Sequence, residues 1–153
     1  ITDTDGQKFD GGLNAPVTAT SANVVPVIVD GTLTLCESGA VVEYILNKYA
    51  QGRLRPAIND ANYYSYLEWM HFAEGSAMTP ILLNLYVSRL GEAGAPLHPR
   101  ISAELTRHYQ YMNDAVRPSG HFVQDSMSAA DLMLSFPAEI AIRQERSAEF
   151  PAL

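Results

Sequence analysis

Strand signals in the apolar pattern stop near residue 58. Upstream, Val24-Val25-Pro26-Val27-Ile28-Val29 is a short β-branched run and Thr32-Leu33-Thr34-Leu35 alternates in the manner of a half-buried strand. Asp30-Gly31 between them is a two-residue hairpin signal, so 24–29 and 32–35 are expected to form an antiparallel hairpin. Val41, Val42, Tyr44, Ile45, Leu46 and Tyr49 then cover one side of a helix expected at about 37–49, with Gly52 just past its end. Residues 1–35 are rich in Thr, Val, Asp and Gly, with turn material at Asp10-Gly11-Gly12 and Asn14-Ala15-Pro16.

Downstream the period is helical. Tyr63, Tyr66, Leu67, Met70, Phe72, Ala73, Ala77, Ile81, Leu82 and Leu85 predict one long helix over 60–90. Pro80 is expected to kink it, since proline removes a donor and crowds the preceding turn. A loop at Gly91–Pro96, a helix over 99–116 and a third helix opening at Ser128 complete the pattern. Ser128 with Asp131 three residues on reads as a structural capping box, with Met127 able to staple against Leu132. The fold class is therefore α/β plus all-α. A small α/β domain over 1–52 is joined by a connector near 50–60 to an all-helical domain over 58–153.

Composition narrows the function. The chain has 153 residues, 47% hydrophobic and 18% charged, enough for a globular core. Its net charge of −7 and ten scattered basic residues give no stripe for nucleic acid and no polybasic patch for a membrane surface. No apolar run approaches the roughly 20 residues of a membrane span. The single cysteine, Cys36, leaves no intramolecular disulfide and no multi-cysteine metal site, in keeping with a reducing compartment. His71, His98, His108 and His121 lack metal-ligand spacing, and Asp3 and Asp5 lack the other ligands of a calcium loop, so no metal is expected. The chain opens on Ile1 without Met and without a signal-peptide pattern.

Chemistry concentrates between residues 25 and 40. A proline at a strand entry can turn the backbone groups of its predecessor outward, where an extended peptide could pair with them. Glu37-Ser38-Gly39-Ala40 opens a helix, whose free amides and positive dipole end suit a carboxylate. Ser38 adds a hydroxyl and Glu37 a negative charge for an ammonium. Together they suit a small peptide carrying an α-amino and an α-carboxylate group. Chemistry alone leaves a second reading open, in which Pro26 is a plain turn proline and Glu37-Ser38 merely caps a helix.

Val25-Pro26-Val27-Ile28, Asp30-Gly31, Leu33-Thr34-Leu35 and Glu37-Ser38-Gly39-Ala40-Val41-Val42-Glu43-Tyr44 resemble the second half of the thioredoxin-like domain of glutathione S-transferases. Ser128-Ala129-Ala130-Asp131 followed by Leu132-Met133-Leu134 resembles the capping box and staple of that family's helical domain. Trp69-Met70-His71-Phe72-Ala73-Glu74-Gly75 resembles its first long helix in bacterial members, and the likeness runs over 22–145. The resemblance implies a partial thioredoxin-like domain followed by a helical bundle. It implies that Val25, before a cis Pro26, bonds the cysteinyl backbone of glutathione, and that Glu37 and Ser38 hold the γ-glutamyl end.

Val24 stands where the family often has Lys. The family's thiolate-stabilising Tyr, Ser or Cys lies at the end of a first strand, but residues 1–24 show no such strand–loop–helix. Ile1–Asp5 looks instead like the second strand. The catalytic residue is therefore unassigned, and the chain reads as a piece of a longer protein, with Phe150–Leu153 resembling the entry to a further helix.

The implied protein is a cytoplasmic, homodimeric glutathione transferase that uses glutathione as co-substrate and directs its thiolate at a small apolar electrophile. The aromatic cluster Tyr63, Tyr64, Tyr66, Trp69 and Phe72 reads mainly as packing. Tyr66, Trp69 and Phe72 are the candidates for lining an electrophile pocket. Cys36 reads as a small buried hydrophobe, and His71 and Glu74 as core or solvent residues. Two rivals share the fold: a non-catalytic binding or assembly module, and a glutathione-dependent thiol reductase or isomerase.

Overall fold

The computed structural model describes residues 26–153. Val24, Val25 and the elements read upstream of them lie outside the described residues. Contacts divide the chain into two compact units, 1–45 and 46–153.

In the first unit, β1 (Val27–Asp30) pairs antiparallel with β2 (Leu33–Cys36), in the register Val27↔Cys36 to Asp30↔Leu33. The hairpin loop is Gly31-Thr32, one residue later than the Asp30-Gly31 turn expected from the sequence. Gly31 takes a φ of +60°, a left-handed value that a glycine adopts without a Cβ penalty. Asp30 is thereby kept in the ladder, and its carboxylate accepts a 2.7 Å hydrogen bond from the Tyr44 hydroxyl on α1 (Ser38–Lys48). Beyond α1, the Gly52 amide closes back on the Leu46 carbonyl at 3.2 Å, with Gly52 at φ +74°.

The second unit is helical. The expected long helix is three consecutive pieces: α2 (Tyr63–His71), a π-helical segment (Phe72–Ala77) and α3 (Met78–Ser88). Pro80, expected to kink the long helix, lies in the first turn of α3, and the irregular π segment ends before it at Ala77. Proline offers no N–H to the Ser76 carbonyl four residues upstream. The Thr79 hydroxyl donates to the Gly75 carbonyl at 2.8 Å. Leu82 and Leu85 are exposed, and the buried residues of α3 are Pro80, Ile81 and Val87.

The stretch expected as a loop at 91–96 is a 3-10 turn (Gly91–Leu97), in which Gly94 lies against the Val87 backbone. From it runs α4 (His98–Ala115), with Pro99 in its first turn, where a missing N–H costs nothing. Its Ile101, Leu105, Tyr109 and Met112 form one buried stripe at spacings of four, four and three. This stripe meets the buried face of the long helix, and α5 (Ala129–Arg143) packs on α2 and the π segment through Ala129, Ala130, Leu134 and Ala141. In the connector, the Leu54 carbonyl accepts from the Ala129 amide at 2.7 Å.

After α5 the chain returns to α4. Phe150 is buried edge-on to Tyr109 at 5.6 Å, Arg146 lies over both rings, and the Ala152 amide donates to the Asn113 side chain at 2.9 Å.

Candidate functional site

The hairpin register brings the two halves of the sequence motif together. Val27 faces Cys36, so Pro26 and Glu37 follow that pair on opposite strands at the open end of the hairpin. α1 starts at once with Ser38, and the Glu37 carbonyl accepts its first helical bond from Val41 at 2.9 Å. The amides of Ser38, Gly39 and Ala40 therefore sit in the first turn, where helical geometry provides no acceptor.

Glu37 has a φ of +74°. For a residue with a side chain this left-handed conformation costs about 1–2 kcal/mol and clusters at functional sites. The cause is local: β2 ends at Cys36 and α1 begins at Ser38, so one residue makes the whole change of direction. Glu37 and Pro26 are exposed, while Ser38 and Cys36 are half-buried. A carboxylate, a hydroxyl and a turn of helix amides thus share one end of the hairpin, an arrangement able to pair with an ammonium and a carboxylate separated by one carbon.

The aromatic candidates lie in the helical unit. Tyr66 has no exposed surface and Trp69 only 4%, whereas Phe72 is half-buried. Trp69 stacks on Tyr111 at 5.0 Å, and it touches Phe122 at 5.0 Å and Phe72 at 5.3 Å. Phe72 meets the His108 ring edge-on at 5.6 Å. The Tyr111 hydroxyl donates to Glu68 at 2.7 Å, and that bond raises its pKa above the usual tyrosine value. His71 and Glu74 are exposed.

A cleft of about 370 Å³ opens between the π segment with α3 and α4, lined by Ser76, Thr79, Leu83, Arg100, Glu104 and His108 among others. Glu104 accepts from Arg100 at 2.7 Å and from Arg107 at 3.0 Å, and the His108 Nδ1 is buried without a partner. Sequence reasoning passed over this row, although 100, 104 and 108 recur at the four-residue spacing that aligns side chains on one helix face. Among the described residues, no group of three or more His, Cys, Asp or Glu side chains could hold a metal ion, and no helix is long and apolar enough to cross a membrane.

Ser128 and Asp131 form a capping box at α5. The Asp131 carboxylate accepts from the Ser128 amide at 2.6 Å and its hydroxyl at 2.8 Å, and Ser128 is fully buried. Met127 and Leu132 are both exposed.

No protein-family model matches the chain. Glutathione S-transferase 3 of Schizosaccharomyces pombe is 28% identical over 133 residues, covering 77% of this chain and 54% of that protein. A crystal structure of a glutathione S-transferase from Actinobacillus pleuropneumoniae superposes with a TM-score of 0.70 at 23% identity, covering 83% of this chain and 58% of that one. A glutathione transferase homolog from Lodderomyces elongisporus, crystallised with two glutathione molecules per subunit, gives 0.67 at 24% identity, covering 81% and 61%. The chain spans little more than half the length of the curated relatives it matches. A partial thioredoxin-like domain followed by a helical domain is the fold they share.

Proposed function

We propose that this chain, which is a relative of the glutathione S-transferases and has their fold, binds glutathione at the open end of its hairpin and serves a glutathione transferase. The observation that carries this reading is the Val27↔Cys36 register, which sets Pro26 beside Glu37 and the first turn of α1. In this reading the Glu37 carboxylate pairs with the α-ammonium of the γ-glutamyl group. The Ser38 hydroxyl and first-turn amides take its α-carboxylate, helped by the positive end of the helix dipole. Val25 lies outside the described residues, and its backbone is assigned to the cysteinyl unit by resemblance.

Binding in this way fixes the tripeptide by one end and along its backbone, so that its thiol is presented at a set point. Conjugation then requires that the thiol be held as thiolate and aimed at an apolar electrophile. None of the described residues is assigned to that step. Residues 1–52 are taken as the glutathione-holding domain and 58–153 as the helical domain. Phe72, the half-buried member of the three, is taken to face the electrophile with Trp69 and Tyr66 packed behind it, and the intact protein is taken as a cytoplasmic homodimer.

The test is retention of the intact natural protein on immobilised glutathione, with release by free glutathione. Glu37→Ala and Ser38→Ala are expected to abolish or sharply reduce retention. Failure of the wild-type protein to bind, or unchanged retention of both variants, overturns the reading.

A further inference from the structure

We propose that Tyr44 and Asp30 are positioning residues for glutathione: their hydrogen bond is a strut that sets the angle between α1 and the hairpin and so aims Ser38 and the first-turn amides. The inference rests on the glutathione site proposed above and concerns residues that would not touch the ligand.

The geometry is that of a braced frame. From the Val27↔Cys36 pair to the Asp30↔Leu33 pair the hairpin advances three residues, about 10 Å at a strand's rise. From Ser38 to Tyr44 the helix advances six residues, about 9 Å at its own rise. Two arms of nearly equal length therefore leave one corner. At that corner the backbone of Glu37 joins them, in its left-handed conformation. At the far ends they are joined by the Tyr44 hydroxyl on the Asp30 Oδ2 at 2.7 Å.

Small changes in the Glu37 dihedrals would tilt α1 against the hairpin. Such a swing re-aims exactly the groups at the start of the helix, and binding constellations lose function once they leave their geometry by roughly 10–20°. A second link one arm's length from the pivot converts the swing into a fixed angle. It also helps to hold Glu37 in a conformation that would otherwise relax. The Asp30 carboxylate can serve because the loop begins at Gly31, which leaves Asp30 anchored in the ladder.

The experiment measures the affinity of the intact protein for glutathione by calorimetry, in wild type and in Tyr44→Phe, Asp30→Ala, Asp30→Asn and Ser38→Ala. Losing a hydrogen bond to a charged acceptor is expected to weaken binding about tenfold in Tyr44→Phe and in Asp30→Ala. Asp30→Asn keeps an acceptor oxygen and is expected to stay within about threefold of wild type, a rescue that general destabilisation would not produce. The double variant Tyr44→Phe/Asp30→Ala should lose less than the sum of the two single losses, because the shared hydrogen bond is removed in each.

If Tyr44→Phe does not fold, the contrast between Asp30→Ala and Asp30→Asn decides the matter alone. Wild-type binding and a weakened Ser38→Ala, together with full affinity in Tyr44→Phe and Asp30→Ala, would overturn the strut and leave the site intact. An Asp30→Asn variant as weak as Asp30→Ala also overturns it, since charge and not bracing would then be at work. If wild type does not bind, or Ser38→Ala binds as wild type does, the site itself falls, and the strut with it.

Discussion

The Asp131 carboxylate accepts the Phe122 backbone amide at 2.8 Å through one oxygen and the Ser128 amide and hydroxyl through the other. One side chain thus caps α5 and pins the loop that brings Phe122 against Trp69. Asp131→Ala leaves two backbone amides without acceptors and is expected to destabilise the protein by about 3 kcal/mol. Chemical denaturation measures it, with Asp131→Asn losing less because one acceptor oxygen remains.

Gly94 is a second structural pivot, of steric origin. It is buried, and a Cβ there would collide with the Val87 carbonyl and press on the Val87 side chain. The carbonyl belongs to α3 and cannot give way cheaply. Gly94→Ala is therefore expected to lower stability by about 1–3 kcal/mol, the usual cost of overpacking. A thermal melt checks it, with Gly91→Ala as a comparison in which strain comes from a φ of +58° and not from a clash.

Alkaline pH should lower the stability of the helical unit in a defined window. Burial pushes the Tyr109 hydroxyl from 10.0 up to about 12, with Arg146 partly offsetting that rise. The unfolded chain loses this proton first, so it binds fewer protons than the folded state between those values and stability falls as pH rises. The contribution is complete below about pH 10 and gone above about pH 12. Tyr109→Phe should flatten the fall in stability over that interval, as read from denaturation midpoints at successive pH values.

Glu37 separates stability from recognition. Glycine accepts a φ of +74° without penalty, so Glu37→Gly should leave stability unchanged or raise it by about 1 kcal/mol. The same change removes the carboxylate proposed for the γ-glutamyl ammonium and should reduce glutathione retention. A variant that is as stable or more stable and retained as well as wild type would remove Glu37 from the site.

The hairpin and the helices were legible because period and capping are local properties. Ser128 and Asp131 could be read from spacing alone, since a serine and an acid three residues apart at a helix start have few other geometries. Placement of the turn was not legible. Asp-Gly signals a reversal, but whether Asp lies in the loop depends on pairing across the sheet, and here Asp30 pairs with Leu33. Pro80 announced a disturbance without saying where it would be absorbed, because the carbonyl that loses its donor belongs to Ser76, four residues upstream. Periodicity also cannot tell a ligand-facing aromatic from a core one. Tyr66 and Phe72 lie on one pattern, yet Tyr66 has no exposed surface while Phe72 keeps some.

Trp69 is the chain's single tryptophan, and it lies nearly sealed among Phe72, Tyr111 and Phe122. Its emission is therefore a built-in optical reporter of how α2, α4 and the loop before α5 are packed. Shifts of its spectrum follow the melting of the helical unit, while far-ultraviolet dichroism sums every helix and strand. Transitions that fail to coincide between the two signals would mean that the two units unfold one after the other.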